Sequence, residues 1–241
     1  MKSPMRHARI AGVLYLLVGI FGGFAEGYME PKMYVAGNAA ATAGNVVVNA
    51  GLVRIGIVSD LLDGTFFIFL AITLYVLLKH VHKSVAFAMV VLVVLAVGIV
   101  SLNTVFEFEG LRVATDSSYV AAFGTVGSNA LVLILLDMQH YGLLIAQIFF
   151  GLWLAPLGYL AYKSGLFPRA LGVLLIVGAV CYLVDVLAAF LVPDFGQKTH
   201  TFVVIPSAIA EISMVGYLLV MGVKTVKPDE RNLAGALPVG L

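Results

Sequence analysis

Charge is what this chain has least of. Only 11% of its 241 residues are Asp, Glu, Lys or Arg, against about 25% in soluble domains. That shortage argues against a sizeable soluble domain anywhere in the chain. Cys181 is the one cysteine, which excludes a disulfide framework and a cysteine-based metal site. The net charge is +1 with scattered cations, so the basic patch that nucleic-acid binding requires is missing. The sequence has no P-loop, no Gly-x-Ser-x-Gly elbow, no His-Glu-x-x-His and no Cys-x-x-Cys. Those absences remove the commonest nucleotide, serine-hydrolase, zinc-protease and dithiol chemistries.

What the chain has is apolar length: 61% of residues are hydrophobic and the mean hydropathy is +1.06. A bilayer core of ~30 Å takes about 20 apolar residues in helical form. Six segments meet that need, at about 8–27, 52–79, 84–106, 137–162, 168–192 and 201–223. The spacing therefore predicts an all-α fold, a single integral membrane domain over 1–241 built as a polytopic transmembrane bundle of six helices. Residues 28–51 are rich in Ala, Asn and Gly and read as a loop or an interfacial helix. Glu107 to Asn129 reads as a polar connection, and the run from Gly124 to Ser128 as loop. Pro156 and Pro206 fall inside spans, where they are expected to kink the helices. The basic N-terminus ahead of an apolar run imitates a signal peptide. The run is long enough to span, so it is read as a retained first helix.

The cations orient the bundle. Lys2, Arg6, Arg9, Lys79, Lys83, Lys163, Arg169, Lys224, Lys227 and Arg231 fall on one side of a six-span arrangement. Lys32, Arg54, Arg112 and Lys198 fall on the other. By the positive-inside rule both termini are expected in the cytoplasm.

Several stretches carry a family likeness. They include Ala8-Arg9-Ile10-Ala11-Gly12, Arg54-x-Gly56-Ile57-x-x-Asp60-Leu61, Phe149-Phe150-Gly151, Pro168-Arg169, Gly172-Val173-Leu174-Leu175, Tyr182-Leu183-Val184-Asp185, and Glu211 with Leu218-Leu219. Together they resemble the bacterial family called domain of unknown function 4386. The resemblance implies a multi-pass protein of the bacterial cytoplasmic membrane and brings no established catalytic residue or cofactor.

Charged groups near a bilayer centre cost about 2.5–3.5 kcal/mol each on insertion scales, so each needs a partner, water or a function. Candidate cavity or ligand-binding residues are Arg54, Asp60, Asp63, Glu107, His140, Gln147, Asp185 and Glu211. In the six-span arrangement the acids and His140 lie between the midplane and the outer surface. This asymmetry predicts a polar cavity open to the outside and closed below. Asp60 and Asp63 share a helix face, and Asp137, His140, Gln147 and Gly151 form a stripe at helical spacing. Arg54 is expected to pair with Glu107 or Glu26 across helices. His7, His80, His82 and His200 are expected at membrane surfaces, which argues against a three-His site. A mixed metal set of His140 with Asp60, Asp185 or Glu211 is the metal option left open. The expected partners are membrane lipids and a small solute or protons, with a homo-oligomer left open and nucleic acid excluded. Two other readings stand beside binding or transport. One is an intramembrane enzyme acting on a lipid head group. The other is a sensor or assembly subunit whose polar residues only lock the bundle.

Overall fold

Apolar runs of this length must become helices in hydrocarbon, because backbone N–H and C=O groups find no water there. The computed structural model describes residues 4–224, and among them there is no strand. Helix α1 (Pro4–Gly22) passes directly into a π-helical stretch (Gly23–Met29) and a last turn, α2 (Glu30–Met33). The short α3 (Ala39–Val48) follows. The long helices are α4 (Ala50–Leu78), α5 (Lys83–Thr115), α6 (Ser117–Ser164), α7 (Arg169–Leu191) and α8 (Pro193–Val220). Six helical passages are long and apolar enough to cross a membrane: Pro4–Met33, Ala50–Leu78, Lys83–Thr115, Ser117–Ser164, Arg169–Leu191 and Phe202–Val220.

The helices outrun the segments read from hydropathy. Residues 107–129, expected as a polar connection, are helical except at Asp116 and at a break at Gly124. Gly124 sits at φ 70° and ψ 167°, a conformation closed to residues with a Cβ. Packing explains the extra helix. Leu111 and Val113 of α5 bury with Val132 and Leu136 of α6 against Met29, Met33 and Val46. This apolar cluster, at the end of the ring here called outer, keeps both helices wound past the segments read from hydropathy. At ~1.5 Å per residue, α6 is about twice the length that a ~30 Å core needs. Residues 39–48 form the helix α3, capped by the Asn38 side chain, which accepts the Ala41 N–H at 3.0 Å. The expected loop before residue 201 is also helix, because Pro193 opens α8 at a position where its missing N–H costs nothing. Pro156 and Pro206 lie within α6 and α8.

Each long helix packs on its neighbours in the order α1, α4, α5, α6, α7, α8, and α8 returns to α1. The result is a closed ring. Membrane helices gain little from apolar burial against one another, so close backbone approach carries the association. At the α6–α7 crossing, a Cβ on Gly158 would lie 2.6 Å from the Gly172 carbonyl oxygen. One on Gly172 would lie 2.7 Å from that of Gly158. At the closure of the ring, a Cβ on Gly12 would meet Leu218 at 3.0 Å. The Arg9 guanidinium donates to the Leu219 carbonyl and, at 3.0 Å, to that of Val220, capping the exposed carbonyls at the end of α8. Outward apolar side chains such as Val13, Phe69, Leu187 and Ile212 are exposed, as a lipid-facing surface requires.

A second, larger apolar cluster fills the inner part of the ring with Tyr15, Phe67, Leu70, Leu74, Trp153, Leu157 and Leu218. Polar side chains therefore gather above it. Lys2, Lys227, Arg231 and the polar tail with Pro228, Asp229 and Glu230 lie outside the described residues.

Candidate functional site

The ring holds a partly open axial cavity of about 170 Å³ beside the inner apolar cluster. Five passages contribute to its wall. Val18 and Gly22 come from α1, Gly23 and Glu26 from the π-helical stretch, and Asp63 and Phe67 from α4. Phe150 and Trp153 come from α6, Tyr182 from α7 and Glu211 from α8. Three carboxyl groups thus line one small space, and no lysine or arginine lines it.

Glu211 is the best-anchored of the three. Tyr15 donates its hydroxyl to one carboxyl oxygen and Tyr182 to the other, both at 2.9 Å. The pair bridges α1, α7 and α8, so the carboxyl is held at a set orientation from two sides. Asp63 approaches from α4 beside Gly22, where a Cβ would sit 3.3 Å from its Oδ1. That oxygen is buried and has no hydrogen-bond partner among the described residues. The π-helical stretch places Glu26, an exposed side chain, at the cavity. Such stretches arise where an extra residue is carried in a helix, often at functional sites.

The remaining wall is aromatic. Trp153 packs edge-on to Phe67 with ring centroids 4.9 Å apart, Phe67 stacks on Phe150 at 5.9 Å, and Tyr15 meets Trp153 at 5.6 Å. Ring faces carry negative electrostatic potential. Carboxyls and rings therefore favour the same sign of ligand.

More acids lie nearby. Asp60 is within electrostatic reach of Glu30, Asp63 and Glu107, and Glu26 within reach of Asp60, Asp63, Glu30 and Glu211. The expected face shared by Asp60 and Asp63 thus splits in use. Asp63 lines the cavity and Asp60 does not. Glu107 is fully buried, and neither of its carboxyl oxygens has a hydrogen-bond partner among the described residues.

Above the axial cavity lies an outer cleft of about 490 Å³, with Tyr34, His140, Tyr141, Asp185, Asp194 and His200 in its lining. Three polar links bound it. His140 Nδ1 meets Glu30 at 2.9 Å, Tyr34 donates to Asp137 at 2.6 Å, and His200 Nδ1 meets Asp185 at 2.9 Å. Burial, and then the Asp137 carboxylate it bonds, push the Tyr34 phenol above its ordinary range. Asp185 also accepts from Gln147 at 2.7 Å, so one carboxyl ties α6, α7 and α8 together. Tyr182 and Asp185 are about one turn apart on α7, which places this polar layer directly over the axial cavity.

The sequence-derived set is therefore dispersed. Asp63 and Glu211 share the axial cavity; Asp60 and Glu107 adjoin it; His140, Gln147 and Asp185 belong to the outer layer. Arg54 is exposed and forms no ion pair among the described residues, in contrast to its expected partnership with Glu107 or Glu26. His140 meets Glu30, and Asp185 meets His200. Among the described residues no three His, Cys, Asp or Glu side chains gather as a metal site, so the mixed set around His140 is not assembled. Tyr15, Glu26, Glu30, Tyr34 and His200 were missed. The spacing of Glu26 and Glu30 at the end of the first passage was a usable signal. The partner of Tyr15, by contrast, is fixed only by the closure of α8 on α1, and that of His200 by the packing of α8 on α7.

A search of curated proteins and one of solved structures gave no match. A family model does match, over residues 10–222, which takes in all of the ring but the first residues of α1, and both polar layers. The chain belongs to the family described as Domain of unknown function (DUF4386).

Proposed function

We propose that this multi-pass membrane protein binds a small cation in its axial cavity, as a carrier or receptor for that solute. The observation that carries the reading is the wall itself, with Glu26, Asp63 and Glu211 beside Trp153, Phe67 and Phe150 and no balancing lysine or arginine. A carboxyl left in a low-dielectric space needs an opposite charge, a proton or water. A cation supplies the first, and aromatic faces add attraction of about 0.5–2 kcal/mol when water is displaced. The volume suits an alkali ion with some water or a small organic ammonium.

The cavity is reached from the outer side of the bacterial cytoplasmic membrane, with both termini in the cytoplasm. Cation distribution supports that orientation, and the apolar cluster beneath the cavity supports closure on the inner side. Solute would pass the layer formed by His140, Glu30, Asp185 and His200 before it meets Glu211.

Trp153 is the only tryptophan and it lines the site, which makes its fluorescence a local reporter. Purified protein is titrated with sodium, potassium, ammonium, methylammonium, tetramethylammonium and choline at constant ionic strength. At least one should give a saturable change that is lost in Glu211→Gln. A flat response to every cation, with the protein folded, would overturn the reading.

A further inference from the structure

Charge is sorted along this molecule. The inner end carries Arg6, Lys79, Lys83, Lys163 and Arg169, all exposed. The described carboxyl groups stand toward the other end. The deepest, Glu211, is still roughly two and a half turns before the end of α8. The inner surface therefore has no internal counter-charge among the described residues.

Into that surface opens a cleft of about 460 Å³. Pro4 and His7 of α1 form one side. Val76 and Leu77 of α4, with Lys79 and His80 just after it, form another, and Leu166 of the α6–α7 turn closes it. Two chemistries meet here. Buried Leu77 and Leu166 and exposed Val76 give an apolar wall that reaches the surface at Val76, while His7, Lys79 and His80 bring nitrogen donors to the same cleft. His82 does not line the cleft, and its Nδ1 accepts the Val85 N–H at the start of α5. His80 has no such duty.

We infer that this cleft holds one anionic phospholipid, its phosphate at His7, Lys79 and His80 and an acyl chain along Val76 and Leu77. The argument is charge complementarity with an apolar continuation. A free anion would use the rim and leave the wall bare, and a zwitterionic lipid would set its own cation against Lys79. Basic side chains at a membrane surface attract anionic lipid, and here Lys79 brings that charge to a recess where the imidazoles of His7 and His80 add hydrogen-bond donors. The site is independent of the axial cavity.

Thermal unfolding of the full chain in neutral detergent tests it, read with added dioleoyl phosphatidylglycerol, dioleoyl phosphatidylcholine or inorganic phosphate. Phosphatidylglycerol should raise Tm severalfold more than phosphatidylcholine, and phosphate should do little. The increment should vanish in the combined variant His7→Gln, Lys79→Gln, His80→Gln and persist in Lys83→Gln with Arg169→Gln, which removes two formal charges from the same end against one in the rim variant with neutral histidines. Should the triple variant fail to fold, Lys79→Gln alone should reduce the increment. Native mass spectrometry of the wild type should retain one phosphatidylglycerol in preference to phosphatidylcholine. Equal response to the two lipids, an equal effect of phosphate, or an increment untouched by the rim variants would overturn the assignment.

Discussion

Replacing Glu211 by Gln changes the axial site by one charge while keeping the side chain's shape. The two tyrosine hydroxyls at 2.9 Å both need an acceptor, and an amide offers one oxygen where the carboxylate offers two. Hydrogen bonds to charged groups contribute about 1.5–3 kcal/mol. One of the tyrosines can turn and accept from the new amide, so the stability loss should be about 1–2 kcal/mol. The effect on a bound cation is larger. At an effective dielectric of about 20, a unit charge ~4 Å from the carboxylate gains about 4 kcal/mol, and at ~6 Å about 3. With about 1.4 kcal/mol per factor of ten, the affinity should fall roughly 100- to 1,000-fold. Titration of Trp153 fluorescence reads this directly at fixed pH and ionic strength. Tyr15→Phe and Tyr182→Phe keep the charge, so each should weaken binding by about tenfold or less. A folded Glu211→Gln protein with an unchanged saturation midpoint would refute the placement of the cation.

Three other perturbations follow from the same geometry. Glu107→Leu removes a buried carboxyl whose oxygens have no hydrogen-bond partner among the described residues, so Tm should hold or rise, equivalent to about 1–3 kcal/mol; a marked fall would mean that Glu107 has a structural partner. Asp185→Ala strips the acceptor from both Gln147 and His200, and should cost about 1–3 kcal/mol and speed amide exchange at the start of α8. Asp116 caps α6 by accepting the Ser118 N–H at 2.9 Å, and that bond holds its carboxyl below the usual range. A depressed folded pKa means the cap is intact above the ordinary carboxylate range and is lost as pH falls through the lowered value. Protection of the first α6 amides should therefore be flat near neutrality and drop only in acid.

Hydropathy located the spans because hydrocarbon leaves the backbone no alternative to helix. It could not give their lengths, since α5 and α6 are prolonged by Leu111, Val113, Val132 and Leu136, whose burial depends on Met29 and Met33 from another part of the chain. The stripe of Asp137, His140, Gln147 and Gly151 was readable as one helix face. Its members meet Tyr34, Glu30, Asp185 and Tyr182 respectively, and those partners lie up to 110 residues away in sequence. His200, just before the span expected at 201–223, was expected at a membrane surface; as part of α8 it reaches Asp185. Arg54 looked costly enough to need an acid, yet it lies exposed in the second turn of α4 with no ion pair among the described residues. Glu211 was singled out for being an acid inside a span. Its two tyrosine partners on separate helices could not be read from spacing.

The π-helical stretch between Gly23 and Met29 has a consequence for how the first passage is built. Each residue of an α-helix advances the side-chain direction by about 100°, and a π-turn holds one residue more than an α-turn. The portions before and after the stretch are thus set at different phases on a common axis. Val18 and Gly22 address the axial cavity from one phase, while Glu30, beyond the stretch, addresses His140 from another. Loss of the one residue the stretch carries in excess would restore α-helix there and keep both Glu30 at His140 and Tyr15 at Glu211. One helix thereby carries two halves in separate phases, and a one-residue change at the stretch need not disturb the register of the chamber below.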